Sequence, residues 1–233
     1  MNRILPLACI AVVLAACGSG AAKTPAASPT LSASAAEARL AKIVLTAADA
    51  GPGFTQEVAR AQTNEDAANA RPDTETARQQ YADWGQILAY NVQFGAPPGA
   101  DLVFNGKTAR VMNTATLFHT NDGASAALAY VRGLAPALIA NFLVNDGAGT
   151  KISETQVVKD IDFPAAGDES FAWRISGKAT FAGGFTVNFV ADSVFLRAGS
   201  LTGNVTAVAL GQPPDRAALT ALVSTFVQHA KAN

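Results

Sequence analysis

Between Gly184 and Leu210 the sequence leaves the chain one arrangement. Phe185 to Arg197 and Leu201 to Leu210 both alternate apolar and polar residues, and only Ala198-Gly199-Ser200 separates them. Alternation with a period of two marks half-buried strands. A three-residue gap joins antiparallel neighbours, because a parallel partner needs a crossover of about a dozen residues or more. Upstream, Glu154 to Ile161 and Ser170 to Ser176 alternate in the same way, and Gly183-Gly184 makes a second short gap. The carboxy-terminal half therefore predicts an antiparallel meander. Its clearest apolar faces are Phe171, Trp173 and Ile175, then Phe185, Val187 and Phe189.

The preceding segments supply the rest of a layered domain. Ile87 to Phe94 puts Leu88, Tyr90, Val92 and Phe94 on one face, with Asn91 and Gln93 on the other. Pro97-Pro98-Gly99 ends that strand, and Lys107 to Thr120 reads as its hairpin partner, with Asp101 to Gly106 in the connection. Asp122 is placed to cap a helix reaching to about Val144, striped by Leu128, Val131, Leu134, Leu138 and Phe142 and interrupted by Pro136. Leu40, Ile43 and Val44 predict a short helix over Ala35 to Leu45, ending in the turn Asp49 to Phe54. Gln62 to Asp83 is polar and loop-like apart from a short helix over Thr74 to Tyr81 that Asp73 can cap. Pro213-Pro214-Asp215 starts a final helix striped by Leu219, Leu222, Val223, Phe226 and Val227. The fold class predicted is α+β: an antiparallel sheet of about six to seven strands packed against two main helices, with one sheet face covered.

The amino terminus carries a different signal. Met1-Asn2-Arg3 is a short basic start, and Ile4 to Ala16 is an apolar run too short to anchor in a bilayer. Leu14-Ala15-Ala16-Cys17-Gly18 resembles the lipobox of bacterial lipoproteins at all four positions. That resemblance implies cleavage before Cys17, diacylglyceryl and acyl modification of Cys17, and a location at the outer face of the cytoplasmic membrane or in the cell envelope. Cys9 lacks this context, since Pro6 stands where leucine is wanted. Gly18 to Ala36 is built from small residues and proline and reads as a tether. The chain thus divides into a signal peptide over 1–16, a lipidated cysteine with linker over 17–36, and a single α+β domain over 37–233.

From about Leu40 to Lys231 the element order is similar to the PsbP/Mog1-type fold used by exported lipoproteins, including the mycobacterial LpqN-like group. Leu45 to Phe54 (LTAADAGPGF) and Gly167 to Arg174 (GDESFAWR) also resemble segments that recur in uncharacterised bacterial lipoproteins. Both resemblances imply fold and compartment rather than a reaction.

The chemistry of the chain is sparse. A net charge of −1, with lysine and arginine scattered singly, excludes the basic surface that neutralises phosphates, so nucleic acid is not an expected partner. No cysteine follows Cys17, which removes disulfides, thiolate catalysis and cysteine-based metal sites from the domain. His119 and His229 stand alone, at a strand end and in the last turn of a helix, and neither supports a triad. Gly123-Ala124-Ser125-Ala126-Ala127 lacks the last glycine of a nucleophile elbow. Asp160, Asp162, Asp168 and Glu169 are the densest acidic group, but their spacing matches no calcium loop. Tyr81, Trp84, Tyr90, Phe94, Phe104, Trp173 and Phe181 are candidates to line a groove, chief among them Trp84, Tyr90 and Trp173.

The expectation is a membrane-anchored, non-enzymatic binding or accessory domain without cofactor or metal. Its ligand would be a protein, an envelope polymer or a small molecule. Two alternatives stand beside it: a carrier of lipid or a small apolar ligand, and an envelope hydrolase working through Asp168 and Glu169.

Overall fold

Ala198 and Leu201 face each other across a turn, and the strands on either side pair antiparallel along their whole length. A computed structural model describes residues 31–97, 107–135, 151–180 and 184–233. The export segment with Cys17, the connection holding Phe104, the chain from Pro136 to Thr150, and Phe181 lie outside the described residues. Two early helices, α1 (Ala33–Ile43) and α2 (Ala47–Ala50), precede strand β1 (Thr55–Gln62). Helices α3 (Asn64–Asn69) and α4 (Thr74–Asp83) lead to the hairpin β2 (Gln86–Gly95) and β3 (Thr108–Phe118). Helix α5 (Asn121–Gly133) is followed by β4 (Lys151–Val158), β5 (Glu169–Thr180), β6 (Thr186–Ala198), β7 (Leu201–Leu210) and α6 (Arg216–Ala232).

The seven described strands form one antiparallel sheet in the order β1-β2-β3-β7-β6-β5-β4. The α+β class and the strand number agree with the sequence. No described helix is long and apolar enough to cross a membrane.

Helices cover both faces, not one. On the first face α1 and α6 bury Leu40, Ile43, Leu219, Leu222, Val223 and Phe226 against Phe94, Val111, Val194, Leu196 and Val205. On the second face α5 sets Leu128 and the flanking Val131 and Leu134 against Trp173, Ile175, Val187 and Phe189. The segment Gln62 to Asp83, read as loop-like apart from one short helix, holds two helices. Thr63 and Asp66 form a reciprocal capping box that starts α3, and α4 follows it closely. Strand β1 pairs with β2 despite a largely polar sequence, because an edge strand can leave most of its side chains in water.

Local capping differs from the sequence reading in three places. Ser32 caps α1, so residues 33–36, assigned to the tether, belong to a helix that buries Ala36. Asp73 makes no capping bond, since both its carboxylate oxygens accept from Arg71. Thr120 rather than Asp122 caps α5, accepting from the Gly123 N–H at 3.1 Å. Phe185 stands before β6 and is 59% exposed, while Val187 and Phe189 are buried as expected.

One buried amide links the early helices to the sheet centre. Asn113, 1% exposed, accepts from the Leu45 N–H at 2.8 Å and donates to the Asn204 carbonyl at 2.9 Å.

Candidate functional site

The second sheet face carries a polar floor where a half-covered sheet would ordinarily show apolar residues. Strand register aligns Asn91, Thr114, Asn204 and Phe195 across β2, β3, β7 and β6. The adjacent row aligns Gln93, Met112, Thr206, Ser193 and, on β5, Trp173. Alternation puts both rows on one face. Their hydroxyls and amides are wired together. Thr114 Oγ1 donates to Asn91 Oδ1 at 2.7 Å, and Asn91 Nδ2 donates to Gln62 Oε1 at 3.2 Å. Thr206 Oγ1 donates to Asn204 Oδ1 at 3.0 Å and shares a 2.7 Å bond with Ser193 Oγ.

Above this floor α5 and the end of α4 leave a cavity of about 500 Å³, within the range of about 300–1,000 Å³ typical of small-molecule sites. Leu128, Val131 and Leu134 line it from α5. Trp84, Tyr81 and Tyr130 form an aromatic wall, with the Trp84 ring 6.0 Å from Tyr81 and 5.2 Å from Tyr130. Trp173 and Phe195 close the opposite end, their rings 4.8 Å apart. Arg71 is the one ionic side chain among the described lining residues. It donates to Tyr130 Oη at 3.0 Å and to Gln80 Oε1 at 3.2 Å, joining the α3–α4 connection to α5. Asp73 holds the guanidinium protonated and neutralises it at 2.7 Å.

Two donors in this lining have no partner. The Trp173 indole N–H and the Asn204 side-chain NH2 are buried, and no acceptor among the described residues reaches either nitrogen. A buried unmet donor costs about 1–3 kcal/mol. Trp173 is only 1% exposed, so bulk water does not satisfy its N–H. Both residues line the cavity, so its wall contains two buried donor nitrogens without a partner among the described residues.

Of the three aromatic residues singled out in the sequence, Trp84 and Trp173 line this cavity, and Tyr90 does not. Tyr90 packs against the core on the opposite face, with Leu88, Val92 and Phe94. The floor itself was missed. Asn91 and Gln93 were assigned to the polar face of their strand, but that pattern looks the same whether water or a helix lies above it. Tyr130 and Arg71 gave no sequence signal beyond an isolated aromatic and an isolated charge.

Asp168 and Glu169 converge, but on a cation rather than on a cleft. Arg197 donates to Glu169 at 2.8 Å and to Asp168 at 3.1 Å, and the Gly199 N–H donates to Asp168 at 2.8 Å. The Arg197 bond, reinforced by the Ser125 hydroxyl, holds the Glu169 carboxyl below its ordinary value of 4.5. A general acid needs the opposite shift, and the contacts of the pair tie the start of β5 to the β6–β7 turn. The remaining acids are dispersed, Asp160 to Arg132 and Asp162 to Arg216, and no group of metal-ligating side chains forms among the described residues. His119 is exposed, and His229 lies on α6, which packs on the other face.

The clasp makes a pH prediction. A carboxyl whose folded value is lowered adds stability that is complete above its unfolded value and is lost as pH falls through the folded one. Glu169→Gln should therefore flatten the loss of stability on acidification from about pH 5 to about pH 3. The difference should be below about 1 kcal/mol because the pair is exposed. Urea melts of both proteins across that range measure it; parallel acid limbs would show that the clasp has no energetic role.

No family model matches the chain, and no curated protein matches it. Among solved structures, the extracellular domain of PknH from Mycobacterium tuberculosis is similar, with 12% identity and a TM-score of 0.47, over 84% of this chain and 97% of that one. A likeness at this level says nothing about what the chain binds.

Proposed function

We propose that the chain is a non-catalytic binding domain that holds a small ligand in the cavity beneath α5, and that lipid on Cys17 ties it to the outer face of a membrane. The observation that carries the binding reading is the cavity of ligand size whose lining residues Trp173 and Asn204 each carry a buried, unpartnered donor nitrogen. The unpartnered Trp173 and Asn204 nitrogens cost folding free energy. A pocket of ligand size with that cost built into it is better explained by an occupant than by packing. The anchoring reading rests on Leu14-Ala15-Ala16-Cys17. Two or three acyl chains on one cysteine, at about 0.8 kcal/mol for each buried methylene, hold a protein to a bilayer firmly.

A second reading has one observation in its favour. Leu128, Val131 and Leu134 give the cavity an apolar roof, which suits an acyl chain or another apolar ligand. The test is the intact mass of the full-length protein extracted gently from its host membrane, taken first under native and then under denaturing conditions. The expected result is a covalent acyl increment absent from the Cys17→Ser protein, plus a discrete mass lost on denaturation. An acyl-type released mass would favour the carrier reading. An unmodified Cys17 would overturn the anchor, and a native mass equal to the denatured one would overturn a retained ligand.

A further inference from the structure

We infer that the ligand of this cavity is a neutral, polyhydroxylated ring compound, a saccharide unit in chemical class, an inference that rests on the binding reading above. Three kinds of small ligand are open to a pocket of this size, and the lining discriminates among them.

An anion would need an uncommitted cation. Arg71 is the one ionic side chain in the described lining, and its charge is already met by Asp73. A wholly apolar ligand would lie against Asn91, Thr114, Asn204 and Thr206 and leave the Trp173 and Asn204 N–H groups unmet, keeping the desolvation cost and gaining only the roof contacts. A sugar ring satisfies both surfaces. Its hydroxyl and ring oxygens accept from Trp173 Nε1 and Asn204 Nδ2, and its hydroxyl protons donate to the hydroxyl and amide oxygens of the floor. Its C–H face is apolar and lies against an aromatic ring such as Trp84 or Tyr130. Neutral amides and hydroxyls suit such a ligand because they offer donor and acceptor on one side chain, as a hydroxyl does.

The chain has two tryptophans, Trp84 and Trp173, and both line the cavity. Full-length protein labelled with 5-fluorotryptophan and held in phosphatidylcholine nanodiscs therefore gives two fluorine resonances, which Trp84→Phe assigns. The probes are neutral hexoses and disaccharides, their uronic-acid and sugar-phosphate counterparts, and dodecanol. Each is titrated as far as solubility allows, the saccharides to about 50 mM, enough to register a millimolar dissociation constant. The expected result is a saturable shift of the Trp173 resonance with a neutral saccharide. Asn204→Ala should weaken it about tenfold, as should Trp173→Phe read at Trp84, while both variants keep the wild-type melting transition within a few degrees.

Saturation by the charged sugars alone would overturn neutrality, and saturation by dodecanol alone would overturn the saccharide class while leaving a ligand-binding cavity. If no probe moves either resonance while the native protein still carries a releasable mass, this inference falls and the binding reading stands. If that mass is also absent, both fall.

Discussion

Gly123→Ala should destabilise the protein by about 1–3 kcal/mol or more, the cost of forcing volume into a packed site. For a domain of this size that lowers the melting temperature by about 2–4 °C per kcal/mol. Gly123 sits in the first turn of α5, buried, and a Cβ there would fall on the backbone carbonyl oxygen of Trp84. A side chain in the way can rotate aside, but a carbonyl at the end of α4 cannot. The amino terminus of α5 would have to lift away from α4, separating Trp84 from Tyr130 and widening the cavity mouth. Tryptophan emission should report that movement together with the loss of stability. Gly133, in the last turn of the same helix, is the control: a Cβ there meets nothing within 4 Å, and alanine is the better helix former. If both substitutions behave alike, close approach at Gly123 is not what limits the fold.

Phe226→Ala should cost about 3–5 kcal/mol, the range for deleting a buried aromatic ring and leaving a cavity. Phe226 is fully buried where α6 crosses β7, and Gly203 leaves the space its ring occupies. A Cβ at Gly203 would collide with that ring. Gly203→Ala should thus be destabilising in wild type and less so beside Phe226→Leu, since the two positions share one volume. Chemical denaturation of the two single variants and the double variant completes the cycle, and simple additivity would refute the shared-volume account. Because α6 lies on the face away from the cavity, ligand affinity should change little at temperatures where the variants remain folded.

The parts of this fold that could be read in advance are those where a strong period meets a short turn. The meander from Glu169 to Leu210 announces itself because glycine gaps leave no topological alternative and because Phe171, Trp173 and Ile175 repeat without interruption. β1 was not legible: Thr55 to Gln62 lies mostly in water and shows no apolar alternation. Helix α4 was legible as a short helix over Thr74 to Tyr81, whereas α3 was hidden by polar composition, although Thr63 and Asp66 carry a capping signature that marks a helix start. At the site, Trp84 stood out because it borders a polar segment. Tyr90 misled because an apolar face identifies burial, not which of two covered faces it meets. The polar floor was beyond single-sequence reading, since Asn91, Thr114 and Asn204 come together only through the register of three strands.

That register has a consequence for how the molecule comes together. Every neighbouring pair in the sheet is consecutive in sequence except β3 with β7. The chain can therefore form two antiparallel blocks of sequence-adjacent strands, β1 to β3 and β4 to β7, and must then suture them across the segment that carries α5. Bringing the two blocks together is the slow, entropically costly step of such a topology. Thr114 stands on one side of the suture and Asn204 and Thr206 on the other, so the floor of the cavity does not exist until the last seam is drawn. A ligand recognised there binds only the finished molecule, and by mass action it holds the seam closed.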